Sequence, residues 1–272
     1  MKKYLGFATV SVFLLSCADY NTERDNPYDE RAYNYIGNSS GVRPSSSVKT
    51  GEPSSSSVVP SSSSYGDLCI GFVEGTQREH HGKMKEQFCD ERDGNKNVYV
   101  KINNQTWMAE NLNYATSGSI CYMGSVNCET YGKLYGWATA MSNSASSTAT
   151  PSGVRGVCPA GWHIPSDAEW DELVTFAGGN NVAGTELKAT QSGNKNGNGT
   201  DDYGFSALLG GTYCTGTSVC GFFQVGDRGY WWSATESGSS NAYGRYMGYN
   251  YSYVGRSNEN KSYLYSVRCL QD

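Results

Sequence analysis

The nine cysteines of this sequence constrain its fold more than any other feature. Cys17 stands alone at the end of an apolar stretch near the start. The other eight, Cys69, Cys89, Cys121, Cys128, Cys158, Cys214, Cys220 and Cys269, are spread through the rest of the chain and leave an even number once Cys17 is set aside. In an exported domain they read as up to four disulfides, because oxidising compartments permit such bonds and the cytosol does not. Eight cysteines can pair in on the order of 100 ways, so spacing ranks the pairings without fixing them. Proximity favours Cys69 with Cys89, Cys121 with Cys128, and Cys214 with Cys220 as local staples. Cys158 with Cys269 then closes the longest loop. A zinc site is disfavoured, since no C-x2-C spacing occurs and the only histidines are His80, His81 and His163.

The start of the chain explains why Cys17 is separate. Lys2 and Lys3 precede an apolar run from Tyr4 to Leu15, the order of a secretory signal. That run falls short of the roughly 20 apolar residues needed to cross a bilayer. Leu14-Leu15-Ser16-Cys17 resembles the lipobox of bacterial lipoproteins. The resemblance implies a signal peptide over residues 1–16 and a diacylated, N-acylated Cys17 that anchors an exported protein to the bacterial outer membrane or cell surface. Two or more acyl chains hold stably, at about 0.8 kcal/mol per buried CH2.

Residues 17–64 read as an acidic start followed by a tether. Asp19, Glu23, Asp25, Asp29 and Glu30 face only Arg24 and Arg31, and Ser39 to Ser64 is almost wholly Ser, Pro, Val and Gly. Such composition cannot bury enough apolar surface to offset chain entropy. From residue 65 to 272 the composition shifts to Gly, Tyr, Trp, Asn and Cys, enough chain for one domain with a sizeable core. A net charge of -5 without a basic patch argues against nucleic acid as a partner.

Within this domain strand signals dominate. Val98, Val100 and Ile102 alternate, an Asn103-Asn104 turn follows, and Gln105 to Met108 completes a hairpin. Further strands are expected over 230–234, 242–249 and 263–270, the last with Tyr263, Tyr265, Val267 and Cys269 on one face. Ser166 and Glu169 spell a capping box, after which Trp170, Leu173, Val174 and Ala177 recur at helical spacing until Gly178-Gly179. A second, weaker helix is expected over 131–141. The class is α+β with long loops and disulfide support.

The strings Gln105-Thr106-Trp107-Met108-Ala109-Glu110-Asn111-Leu112-Asn113-Tyr114, Tyr131-Gly132-Lys133-Leu134-Tyr135 and Cys158-Pro159-Ala160-Gly161-Trp162-His163-Ile164-Pro165-Ser166 resemble the Fibrobacter succinogenes major paralogous domain. Glu169-Trp170, Gly204-Phe205-Ser206-Ala207-Leu208, Tyr230-Trp231-Trp232-Ser233 and Ser266-Val267-Arg268-Cys269 extend the resemblance, in family order, over a core of about 97–272. The family is found on exported and often lipid-anchored proteins, and the resemblance carries no reaction with it. Ile164-Pro165-Ser166-Asp167-Ala168-Glu169-Trp170 and Val267-Arg268-Cys269 are more distantly similar to formylglycine-generating sulfatase-modifying domains. That likeness implies a C-type-lectin-like fold: antiparallel sheets, two helices and long loops.

No catalytic constellation assembles from these residues. His163 sits between Trp162 and the helix start and reads as structural, and paired cysteines would be inert as nucleophiles. The aromatic residues point instead to binding. Trp231, Trp232, Tyr243, Tyr246 and Tyr249 are the candidate ligand contacts, because an aromatic face stacks on a sugar while polar neighbours bond its hydroxyls. Being successive in a strand, Trp231 and Trp232 should face opposite ways. Asn194, Asn196, Asn198, Asp201 and Asp202 form an oxygen-rich, glycine-rich segment, of which Asn198, Asp201 and Asp202 are the candidate ligands for Ca2+, the one cofactor considered. The sequence thus leads to the expectation of a non-catalytic domain that binds an extracellular polysaccharide. Its alternatives are an adhesive envelope protein that binds other proteins, and an enzyme related to formylglycine-generating domains.

Overall fold

Strand periodicity carries most of the architecture in the computed structural model of the protein, which describes residues 68–191, 197–215 and 221–272. The signal peptide, lipidated Cys17 and tether expected above lie outside these residues, as do Cys220, Asn194 and Asn196.

A first sheet begins with a meander of β1 (Gln77–His80), β2 (Lys83–Cys89), β3 (Lys96–Ile102) and β4 (Gln105–Met108). The β3–β4 turn pairs Ile102 with Gln105, and Asn103 takes the left-handed conformation at φ 54°, which asparagine tolerates well. Alternation then buries Val98 and Ile102. Beside β4 lies β13 (Leu270–Gln271), and beyond it β6 (Trp162–His163), all antiparallel.

The second sheet has the order β11 (Gly255–Asn260), β10 (Asn241–Gly248), β9 (Arg228–Glu236), β12 (Leu264–Ser266), β7 (Gly210–Tyr213), β8 (Phe222–Val225), with β5 (Leu134–Gly136) also paired to β12. Its pairings are antiparallel except β9 with β12 and β9 with β7. The single strand expected over 263–270 is therefore two, one in each sheet. The expected face survives the division: Tyr265, Val267 and Cys269 are buried in one cluster and Tyr263 packs against it.

Four helices are described: α1 (Ser125–Tyr131), α2 (Trp137–Ala140), α3 (Asp167–Phe176) and α4 (Ala183–Leu187). In α3 both halves of the capping box form, with Glu169 N–H donating to Ser166 Oγ at 3.2 Å and Ser166 N–H to Glu169 Oε2 at 2.8 Å. Trp170, Leu173, Val174 and Ala177 are all buried in one cluster.

The helix expected over 131–141 is corrected: only its second half is helical, as α2, and its first half is a strand. Gly132 has φ 72°, and a Cβ there would lie 2.8 Å from Asn111. The chain turns at this close approach, and Leu134, Tyr135 and Gly136 pair with Ser266, Tyr265 and Leu264. Cross-strand pairing outweighs helical periodicity here.

Two aromatic clusters lie on opposite faces of β9. Trp107, Trp170, Phe205 and Trp231 occupy the α3 side, while Tyr135, Trp137, Trp162, Trp232 and Tyr265 occupy the other. Three expected disulfides are present, Cys69–Cys89, Cys121–Cys128 and Cys158–Cys269, with Cα separations of 5.9, 5.1 and 5.9 Å. Cys214 is disulfide-bonded as well.

Candidate functional site

Alternation along β9 and β10 sorts their side chains by face. Tyr230, Trp232 and Tyr246 share one side, with Tyr246 opposite Tyr230; Trp231 and Met247 take the α3 side. On β11, Gly255 stands opposite Tyr246. A Cβ at Gly255 would lie 2.1 Å from the Tyr246 ring, and one at Gly248 would lie 2.5 Å from the Tyr251 ring. These glycines let the rings lie against the sheet backbone rather than stand away from it.

The result is a continuous tyrosine face. Tyr265 stacks on Tyr230 with ring centroids 4.9 Å apart. Tyr230 meets Tyr246 at 6.0 Å, Tyr246 meets Tyr253 edge-on at 6.1 Å, and Tyr253 stacks on Tyr251 at 4.8 Å. Tyr230 and Tyr265 are buried, whereas Tyr246, Tyr251 and Tyr253 are half-buried and present ring surface to solvent. Arg228 supports the outer rings: its Nη2 donates to the Tyr251 hydroxyl at 2.9 Å and its Nη1 to the Tyr230 hydroxyl at 3.5 Å. The Tyr230 hydroxyl donates to Gln224 Oε1.

The electrostatics keep Tyr230, Tyr253 and Tyr265 protonated. Burial raises the Tyr265 hydroxyl well above its ordinary range, and Glu259 adds to it. Burial also raises Tyr253, with the Tyr246 hydroxyl contributing. In Tyr230 burial outweighs the opposing pull of Arg228, so the net direction is again upward. The hydrogen bond to Tyr230 in turn raises Arg228 further, keeping it cationic. A face of flat rings edged by hydroxyl donors and one guanidinium is chemically suited to a sugar, whose C–H surface stacks and whose oxygens accept.

Of the five aromatic contacts expected from sequence, only Tyr246 belongs to this face. Trp231 and Trp232 do point in opposite directions, but both are fully buried. Trp231 Nε1 donates to Asn111 Oδ1 at 2.7 Å and Trp232 Nε1 to the Tyr135 carbonyl at 2.8 Å, so both are core and neither is a platform. Tyr243 lies under the Arg256 guanidinium at 3.6 Å, and Tyr249 packs against the α3-side cluster. Tyr251 and Tyr253 stand in the same tyrosine-dense tract without being among the expected contacts, and neither Arg228 nor Tyr230 was among them. The available signal was the recurrence of tyrosine and glycine from Tyr243 to Gly255, in which each glycine makes room for a ring.

The oxygens proposed for calcium do not converge. Asn198 Oδ1 accepts from Lys188 Nζ at 2.5 Å, and the same ammonium donates to the carbonyl of Gly248 at 2.7 Å and to that of Tyr251. Asp201 accepts from the Ser206 amide at 2.6 Å and from its hydroxyl at 2.5 Å, and Asp202 is exposed. Among the described residues no group of three or more His, Cys, Asp or Glu is placed to hold a metal. Lys188 is buried, and burial lowers its pKa to about 8. Its positive end sits where the loop oxygens gather and ties down the segment that carries Tyr251 and Tyr253.

His163 is held between two carboxylates. Its Nδ1 lies 2.7 Å from Asp272 Oδ1 and its Nε2 3.0 Å from Glu169 Oε1. Burial alone would lower its pKa, but the bonds to Glu169 and Asp272 outweigh it and the net shift is upward from 6.5. Its stabilisation is therefore complete below the unfolded value and is lost as pH rises through the raised folded value. We expect the unfolding free energy to fall as pH rises from about 6.5 upward, and His163→Gln to flatten that slope. Urea unfolding across this range checks it, and an unchanged slope in the variant would contradict the assignment. A second chain of polar groups, Lys85 Nζ, Ser206 Oγ and Asp201, is hydrogen-bonded and buried throughout.

The tyrosine face and both clusters beneath it lie almost wholly within the span matched by the sequence model of the Fibrobacter succinogenes major domain, residues 100–271. The chain belongs to this family. Strands β1 and β2 and the Cys69–Cys89 disulfide precede the matched span and extend the first sheet of the Fibrobacter succinogenes major domain. No curated protein and no solved structure matches the chain.

Proposed function

We propose that this Fibrobacter succinogenes major domain is a non-catalytic, C-type-lectin-like module that binds an extracellular polysaccharide, carried on a protein anchored to the cell envelope through Cys17. The observation that carries this reading is the half-buried Tyr251–Tyr253 stack at 4.8 Å, edged by the Arg228 guanidinium. The fold is in keeping with it: two mainly antiparallel sheets, few helices and long connections. The lipobox and serine tract fit a domain displayed away from a membrane.

Co-sedimentation with insoluble polysaccharides and a glycan panel, with and without EDTA, tests the reading. Tyr251→Ala and Tyr253→Ala are expected to weaken retention by about tenfold each, the scale of one lost aromatic contact, with little change in melting temperature. If the native protein is retained on no glycan, carbohydrate binding is wrong. A second reading, an adhesive protein that grips other envelope proteins, rests on Leu68, Ile70 and Val73. These are 51%, 75% and 67% exposed around the Cys69–Cys89 disulfide. Crosslinking on intact cells would then capture a protein neighbour through this region.

A further inference from the structure

Arg228 differs from Arg78, Arg92, Arg245 and Arg256 in what it pairs with. Arg78 pairs with Glu110 at 3.2 Å, Arg92 with Asp90 at 2.6 Å, and Arg256 with Asp167 at 2.8 Å. Buried Arg245 reaches both Asp167 and Asp171. Among the described residues Arg228 forms no ion pair; its partners are the neutral hydroxyls of Tyr230 and Tyr251. Its guanidinium carbon lies 5.3 Å from the Tyr251 ring centroid and 5.8 Å from that of Tyr246. It is thus a half-buried, uncompensated cation held between two rings of the tyrosine face, in a chain whose overall charge is -5.

The chemistry of that placement is specific. A guanidinium presents five N–H donors in a planar fork, and two phenols engage only part of them. What fits the remainder is a planar anion that accepts two parallel bonds, which is a carboxylate. Partial burial strengthens such a pair relative to one in open water. Glu259 is the carboxylate on the same face, and it is engaged with the Tyr265 hydroxyl.

Resting on the polysaccharide reading above, we propose that the ligand is acidic: a uronate-containing polysaccharide whose carboxylate pairs with Arg228 while a sugar ring stacks on Tyr251 or Tyr253. Neutral glycans would engage the rings alone. Acidic ones would engage the rings and the cation together, so selectivity comes from Arg228 and basal affinity from the tyrosines.

The test compares retention of the intact, detergent-solubilised protein on polygalacturonate and alginate with retention on cellulose, xylan backbone and dextran. Dextran sulfate serves as a control for charge without uronate. Uronate glycans are expected to bind about 10- to 100-fold more tightly than neutral ones, as a charge-assisted bond would supply. Raising the salt should narrow that gap. Arg228→Gln is expected to abolish the preference while leaving weak, tyrosine-dependent retention. Arg228→Lys, which keeps the charge but loses the fork, should restore only part of it. Melting temperatures of both variants separate lost binding from lost folding.

Equal retention on neutral and uronate glycans, or an unchanged preference in Arg228→Gln, would overturn the acidic assignment and leave carbohydrate binding standing. Dextran sulfate bound as tightly as polygalacturonate would overturn the carboxylate in favour of charge alone. Retention on nothing would remove the polysaccharide reading and this inference with it.

Discussion

Replacing Cys158 and Cys269 together by alanine is expected to lower the unfolding free energy by about 4 to 5 kcal/mol, the largest loss from any of the three described disulfides. The reason is the length of chain each one closes. Cys158 and Cys269 are separated by 111 residues, Cys69 and Cys89 by 20, and Cys121 and Cys128 by 7. In the chain-entropy account the cost of opening each loop grows with the logarithm of its length, giving about 3 kcal/mol for the second and about 2 kcal/mol for the third. Cys158 and Cys269 are also fully buried, so alanine there adds a small packing loss to the entropic one. Urea unfolding of the three double variants measures the order directly. A Cys121–Cys128 variant that loses more than the Cys158–Cys269 variant would show that loop entropy does not govern these bonds.

Arg268→Met is expected to cost about 3 to 5 kcal/mol, the range found when one member of a buried polar set is removed. Arg268 is completely buried, and its Nε and Nη2 donate to Asn111 Oδ1 at 3.2 and 2.9 Å. Its Nη1 donates to the Phe205 carbonyl, and the guanidinium stacks on the Phe205 ring at 4.3 Å. Burial lowers its pKa to about 9, offset in part by Asp201 and Glu110, so it remains cationic at neutral pH. Methionine would fill much of the space but remove the Arg268 donor to the Phe205 carbonyl and leave Asn111 Oδ1 with Trp231 Nε1 alone. Lysine should rescue little, because a single ammonium cannot reproduce the fork. A melting temperature close to that of the native protein in Arg268→Met would refute this role.

That same residue shows what was and was not legible in the sequence. Five of the seven strings that carry the family resemblance meet in space at Arg268. Asn111 comes from the first string, Tyr131 accepts from Asn111 Nδ2 at 2.8 Å, and Trp231 donates to Asn111. Phe205 and Ser206 supply carbonyl oxygens, and Ser266 borders the hub at 3.3 Å from Asn111 Nδ2. These five motifs therefore form a buried polar hub around Arg268 and Asn111. Recognising them identified the domain correctly and drew attention to Trp231, which serves the hub instead of a ligand.

Local signals transferred well where local physics decides. The capping box, the Asn103 hairpin and the pairing of nearby cysteines all depend on neighbours in sequence. The failures came where distant contacts decide. The helix expected after Tyr131 yields to pairing with β12, because Leu134–Gly136 complete a sheet whose other strand lies more than a hundred residues away. Asn198 was read as a metal ligand because its oxygen is visible in the sequence, while the ammonium that reaches it, that of Lys188, belongs to a different part of the pattern. The tyrosine face was half visible. Composition announced aromatic surface, but only the register of β9, β10 and β11 decides which rings lie flat and outward.

The segment from Leu264 to Leu270 supplies an inner strand to each sheet, pairing with β5, β7 and β9 in one and with β4 and β6 in the other. Every other strand of both sheets precedes it in the sequence. A chain synthesised from its N-terminus can form hairpins such as β3–β4 and β9–β10 early, but it cannot close either sheet until this late stretch is available. Folding is thereby made dependent on contacts of large sequence separation, which are slow to form. The fold thus contains its own delay, and a nascent chain stopped short of Leu264 would hold two open half-sheets with unpaired edges, the kind of surface that aggregates.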